Sequence, residues 1–360
     1  MQLSVKAQYS NVPLTGFNSD QVANGIGLPT TSTTVLTDFG VDNGNFVFID
    51  NTYQYNSGCA PATTGVYPTT VTSVAASGLT YVLQPSSVNN ALRVPATGTG
   101  PSSGTLNLTT PVQGSTIYLL SVAGGGQILS GINVTVNFTD LTSQTVTNYT
   151  AEDWCNLNNN TNYTKIPVPQ YNRIQASTAT CGSQGTCQYF AELAVQINPS
   201  NYGKSIASVT ISKTTATNVF QVFAMGVKSL CTTPVSQPTA LSTGSVTTSS
   251  IGISFTAAAP APTGYLVVRY PQGSTPIPPS NGIFYTANQP LGLGTVVDTS
   301  TVSTSFTATG LSGSSSYDFY AYSYNFSATC GGPIYLTTSP LTSTIATAAC
   351  SGTMTGTVMI

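Results

Sequence analysis

Residues 132–139 alternate strictly between apolar and polar. Ile132, Val134, Val136 and Phe138 fall on one side of an extended backbone, and Asn133, Thr135, Asn137 and Thr139 on the other. That two-residue period predicts a half-buried antiparallel strand. Shorter apolar runs predict further strands at Phe46 to Ile49, Leu79 to Leu83, Thr105 to Leu108, Ile117 to Val122, Tyr189 to Ile197, Ile206 to Ile211 and Val219 to Val227. The last three lie close together with turn residues between them, as in a meander. Helical periodicity is nearly absent, and Gly, Pro, Ser and Asn clusters separate the runs, so an all-β fold is expected.

Residues 1–230 therefore read as one large β-sandwich. The segment Cys231-Thr-Thr-Pro234-Val-Ser-Gln-Pro238 reads as an extended, Pro-punctuated linker. Beyond it, strands are expected at Ile251 to Phe255, Tyr265 to Tyr270, Thr295 to Val297, Ser303 to Ala308, Tyr317 to Tyr324 and Ile334 to Thr338. About seven strands in that length is the immunoglobulin-like scale, which sets a second sandwich over 231–348. Cys350-Ser-Gly-Thr repeats the grammar of the linker, so 349–360 reads as the start of a further module that this chain does not complete.

Composition changes the picture in one respect. Of 360 residues only 5% are charged, against about 25% in an ordinary soluble domain. Ser, Thr, Asn and Gly supply the polar surface. The eight basic residues are scattered singly, which argues against nucleic acid and anionic membranes as partners, and no apolar run is long enough to span a bilayer. The N-terminus lacks an apolar signal-peptide core and reads as a mature N-terminus behind an added Met. Neutral hydroxyl and amide faces suit an exported protein at the cell surface or outside the cell.

The chain has no His, which rules out Ser-His-Asp and Cys-His catalysis. Glu152 and Asp153 would point to opposite faces of a strand and cannot flank one glycosidic bond. The protein is expected not to be an enzyme. Asp38, Asp42, Asn43 and Asp50 offer hard oxygen ligands around a Gly-bearing loop, a candidate structural calcium site; turn capping by the same residues is the competing reading. No other cofactor is expected. Tyr53, Tyr55 and Tyr163 sit in polar stretches and are the candidate glycan-stacking residues, with strand packing as their alternative. The single tryptophan, Trp154, is assigned to the core. Seven Asn-x-Ser/Thr sequons occur, and Asn133 and Asn137 face outward on the alternating strand.

Seven cysteines indicate disulfides and an oxidising compartment. Cys181 and Cys187 flank a short loop that a bridge could close. Cys59 and Cys155 form another candidate pair.

Thr309-Gly310-Leu311, followed by Tyr317, Phe319, Ala321, Ser323 and Asn325, resembles the E–F corner of fibronectin type III domains. In that family a Leu six positions before a Tyr plugs the core, and the Tyr hydroxyl bonds back to the backbone. The resemblance implies that Phe255 replaces the family's core Trp. It also places the domain's N-terminus at the pole of the F–G loop, where Cys231 and Cys330 could pair, leaving Cys350 for the module beyond. Gly264-Tyr265-Leu-Val-Val-Arg269, Leu293-Gly294-Thr295 and Gly331-Gly-Pro333-Ile-Tyr335 are similar to fibronectin domains of bacterial surface proteins exported by the type IX route. The phrase Val134 to Asp140, with Gln144 to Thr147 and Ala151 to Trp154, resembles galactose-binding-like jelly rolls.

The expected function is adhesion or binding: the first domain recognises a glycan or surface polymer and the second acts as a spacer. The alternatives are a structural subunit of an extracellular filament or surface layer, built from copies of itself, and an accessory region of a secreted hydrolase whose catalytic domain lies outside this chain.

Overall fold

A computed structural model describes residues 8–28, 46–54, 66–94, 103–125, 129–151, 153–154, 164–166, 173–175, 189–214, 218–300 and 303–349. The chain divides into two compact units, Met1–Ser229 and Leu230–Ile360. Both are β-sandwiches, the first jelly-roll-like and the second of fibronectin type III type. The described residues hold one 3-10 turn, Pro199–Asn201, and no helix long and apolar enough to cross a membrane.

In the first unit the strands are β1 (Tyr9–Asn11), β2 (Leu14–Thr15), β3 (Val22–Ala23), β4 (Phe46–Ile49), β5 (Thr70–Thr72), β6 (Thr80–Val82), β7 (Leu92–Val94) and β8 (Ser103–Val112). They continue as β9 (Thr116–Gly124), β10 (Leu129–Phe138), β11 (Ser143–Ala151), β12 (Thr164–Ile166), β13 (Arg173–Gln175), β14 (Phe190–Gln196), β15 (Ile206–Lys213) and β16 (Val219–Lys228). A six-stranded sheet runs β1-β16-β9-β14-β12 with β7 also on β16, and a five-stranded sheet runs β11-β10-β15-β8-β2.

The two sheets differ in how many faces they bury, and the sequence carries the reason. β9 is buried at every position and β16 at all but its last residue. One face, with Ile117, Leu119, Phe220, Val222 and Met225, packs on the five-stranded sheet. The other, with Tyr118, Leu120, Val122 and Phe223, packs under Val71, Leu79, Tyr81, Phe48 and Trp154. A third layer, formed by the β5–β6 hairpin and the small sheet β13-β4-β3, thus covers the six-stranded sheet. Strands buried on both faces read as continuous apolar runs. β10 instead keeps the strict alternation, with Ile132, Val134, Val136 and Phe138 buried and Asn133, Thr135 and Asn137 half-buried, because no layer of described residues covers its outer side.

The expected meander of β14, β15 and β16 is corrected. β14 and β16 both pair with β9, while β15 pairs with β10 and β8 in the opposite sheet. Turn residues mark where the chain reverses and leave open which sheet receives the next strand. Here each turn crosses the sandwich, as in a jelly roll.

In the second unit β17 (Thr239–Val246), β18 (Ser250–Thr256) and β22 (Ser305–Thr309) form one sheet. β19 (Gly264–Pro271), β20 (Pro290–Leu291), β21 (Gly294–Asp298), β23 (Ser316–Asn325), β24 (Ile334–Tyr335) and β25 (Leu341–Ala346) form the other. The Tyr317 hydroxyl accepts the Ser312 N–H at 2.9 Å beside buried Leu311. Phe319, Ala321 and Ser323 point inward, and Phe255 packs edge-on to Tyr265 with ring centroids 4.9 Å apart.

The segment 231–238 is not a free linker, which corrects the expectation. Cys231 is buried and disulfide-bonded to Cys330, with Cα atoms 4.9 Å apart, and its N–H donates to Gly331 O. Gln237 donates to Leu336 O and Thr338 O and accepts the Ser323 N–H. A proline-rich stretch reads as a linker because Pro cannot join a ladder. Here a bridge and one glutamine tie it to the sandwich instead.

Candidate functional site

The outer face of the five-stranded sheet, which no other described layer covers, carries an ordered set of small, neutral, polar side chains. Register places them in rows that cross the strands. One row is Thr145, Thr135, Thr210 and Thr105, on β11, β10, β15 and β8. A second is Ser143, Asn137, Ser208, Asn107 and Thr15, extending to β2. A third is Asn133, Ser212 and Ser103. Neighbours within a row are about 4.8 Å apart and rows about 7 Å apart, as strand geometry dictates.

The rows are partly cross-linked. Thr135 Oγ1 and Thr145 Oγ1 share a hydrogen bond at 2.8 Å, and Thr105 Oγ1 and Thr210 Oγ1 share one at 2.9 Å. Asn137 Nδ2 donates to Ser208 Oγ and Thr210 Oγ1. Asn133 Oδ1 accepts the N–H of Asn148, which stands at φ 64° and bulges the edge strand β11. Ser143, Asn107 and Thr15 carry side chains without a hydrogen bond to another described residue and are exposed. The face holds its central groups in fixed positions and leaves donors and acceptors open at both ends of the longest row. Among the described residues these rows bear no carboxylate, ammonium or aromatic ring, so they are suited to hydrogen-bonding a neutral partner.

The predicted site residues fall elsewhere. Tyr53 is only 1% exposed and its hydroxyl donates to Gly27 O. Its ring belongs to a core with Ala23, Val47, Ile49 and Ile174 and has no face for a sugar, so the stacking role is corrected. The polar stretch around it misled because the apolar partners come from other segments. Tyr55 and Tyr163 lie outside the described residues, as do Asp38, Asp42, Asn43, Cys59, Cys155, Cys181 and Cys187. Asp50 caps a turn: Oδ1 accepts the Thr52 and Tyr53 N–H groups and the Thr52 hydroxyl, and Oδ2 accepts the Ser86 hydroxyl. Among the described residues no three His, Cys, Asp or Glu side chains gather as metal ligands.

The acids that are buried do structural work. Asp153 accepts the Gly125 N–H at 2.8 Å. Glu192, 1% exposed on β14, accepts the Val74 and Ala75 N–H groups and the Tyr81 hydroxyl, pinning the β5–β6 hairpin to the six-stranded sheet. Burial, and then the Glu192 charge, hold Tyr81 well above the usual phenol range.

No protein-family model matches the chain, and no curated protein matches it. Among solved structures it is similar to the fibronectin type III domain of human collagen alpha-1(XX), at 20% identity over 34% of this chain and 92% of that one, TM-score 0.24. It is also similar to the FN1–FN3 domains of chicken CNTN1, at 12% identity over 71% and 64%, TM-score 0.27. A β-1,2-glucanase from Parabacteroides distasonis aligns at 11% identity over 72% of this chain and 32% of its own length, TM-score 0.23.

Proposed function

We propose that this is an exported, non-catalytic binding protein whose first unit holds a neutral glycan or surface polymer on the outer face of the five-stranded sheet, with the fibronectin-like unit as a spacer. The observation that carries the reading is the set of cross-strand rows of uncharged Ser, Thr and Asn on the sheet face that no other described layer covers. Each neutral hydrogen bond contributes about 0.5–1.5 kcal/mol, so several along one row are needed for useful affinity. Neighbouring strands rotate by roughly 20–25°, so a rigid crystalline surface would meet only part of the face. A single flexible chain, lying across the strands with about one repeat per strand, can follow the whole row.

The Cys231–Cys330 bridge and the fibronectin-like sandwich fit an extracellular setting, and the wording of that domain supports a bacterial surface protein of the type IX kind. Co-sedimentation of the full chain with a panel of neutral and anionic polysaccharides tests the reading. Retention by at least one neutral polymer, unaffected by salt, is expected. Retention only by anionic polymers, or by none, would refute it.

A further inference from the structure

At the β2 edge of the five-stranded sheet the longest polar row ends in Thr15. The same short segment, residues 11–17, borders a cleft of about 290 Å3 whose lining includes Asn11, Pro13, Phe17, Val82, Gln84 and Phe223. That volume is near the lower end of the range for ligand pockets, about 300–1,000 Å3, so it suits one ring rather than an extended ligand. Phe223 is fully buried, Phe17 half-buried and Val82 exposed, giving an apolar floor and walls. Gln84 makes no hydrogen bond to a described residue, and Asn11 uses only Oδ1, which accepts the Val82 N–H at 2.9 Å. Two amide groups with open donors therefore stand beside an aromatic ring, with no charged side chain among the described lining residues.

The cleft is preformed. Gly16, at φ +98°, turns the chain from Thr15 to Phe17, and a Cβ there would overlap the Thr105 carbonyl oxygen. Asn18 then fixes the segment to β7, accepting the Arg93 N–H and donating to Arg93 O. The opposite side, the β5–β6 hairpin, is held by Glu192.

We propose that this cleft is a binding subsite for a single neutral sugar ring, taking the end of the chain whose body lies along the row that finishes at Thr15. A pyranose has the matching chemistry: an apolar C–H face for Phe17 and Val82, hydroxyls for the Gln84 and Asn11 amides, and no charge. The link to a longer chain rests on the proposed function, whereas ring binding in the cleft can be measured alone.

The test is saturation-transfer NMR and titration of the full chain with glucose, galactose, mannose, xylose and N-acetylglucosamine, in the wild type and in Phe17→Ala and Gln84→Ala. At least one sugar is expected to bind, and each substitution is expected to weaken it roughly tenfold, the scale of a lost aromatic contact or a lost pair of hydrogen bonds. Should Phe17→Ala unfold, judged by Trp154 fluorescence, Gln84→Ala decides. Absence of binding by all five sugars, or binding that survives the substitutions, overturns the inference. Polysaccharide retention that both cleft variants leave unchanged would likewise overturn it while sparing the proposed function. Ring binding without polysaccharide retention would refute the proposed function and keep the subsite.

Discussion

Glu192 is the most exacting place to test the energetics of the first unit. Its carboxylate holds three donors, the Val74 and Ala75 N–H groups at 2.9 Å each and the Tyr81 hydroxyl at 2.8 Å. Glu192→Ala strands all three. A buried donor left unsatisfied costs about 1–3 kcal/mol, and the Tyr81 hydroxyl, in a ring with no exposed surface, bears the full loss. Val74 and Ala75 are exposed, so water can replace part of theirs. The sum is a destabilisation of about 2–4 kcal/mol. Glu192→Gln keeps a carbonyl acceptor for the backbone N–H groups and an amide that the Tyr81 oxygen can accept, so about 1–2 kcal/mol is expected. The assay is urea denaturation followed by tryptophan fluorescence. Trp154 is the sole tryptophan and is 1% exposed in the same core as Tyr81, so the signal reports on this unit alone. An alanine variant within about 0.5 kcal/mol of wild type, or a glutamine variant as unstable as the alanine one, would refute the reasoning.

Other expectations follow from the same contacts. Burial, then Tyr9 and Glu192, push Tyr118 up to about 12. The folded unit therefore keeps a proton that the unfolded chain releases near pH 10, and this contribution, complete below pH 10, is lost as pH rises towards 12. Denaturation of the first unit at stepped pH checks it, and stability that holds constant across that window contradicts it. Gly16→Ala forces a side chain into the left-handed region against Thr105, so a loss of about 2 kcal/mol or more by the Trp154 assay is expected. Replacing Cys231 and Cys330 by Ser opens a link spanning 99 residues and should destabilise the second unit by about 2–4 kcal/mol. Circular dichroism melting would detect it, and the Trp154 transition should stay unchanged.

Much of the fold could be read from residue pattern alone, for reasons that β9, β10 and β16 make plain. The alternation at 132–138 showed a strand with one wet face, and the apolar runs at 117–122 and 219–227 located β9 and β16, whose burial on both faces the structure added. The Leu311–Tyr317 spacing located the fibronectin-like corner. Several strands passed unseen, most of them two or three residues long; the longest were β17, whose residues are mostly exposed Ser, Thr and Gly, and β11, where Val146 and Tyr149 stand among polar neighbours and a buried Gln144. The candidate site stayed hidden for a different reason. Thr105, Thr135, Thr145 and Thr210 become one row only through register, and register is fixed by pairings up to 105 residues apart. The choice of Tyr53 failed because local polarity does not report burial by distant segments.

The central claim is that an uncharged polar sheet face binds an uncharged polymer, and a single carboxylate placed in its middle tests it most directly. Thr210→Asp sits at the centre of the threonine row, between Thr135 and Thr105. If the account holds, polysaccharide retention falls at least roughly tenfold through the lost hydrogen bond and a charge that the partner must desolvate, while the Trp154 unfolding transition shifts by no more than about 1 kcal/mol. Retention equal to wild type in a folded Thr210→Asp protein would contradict it.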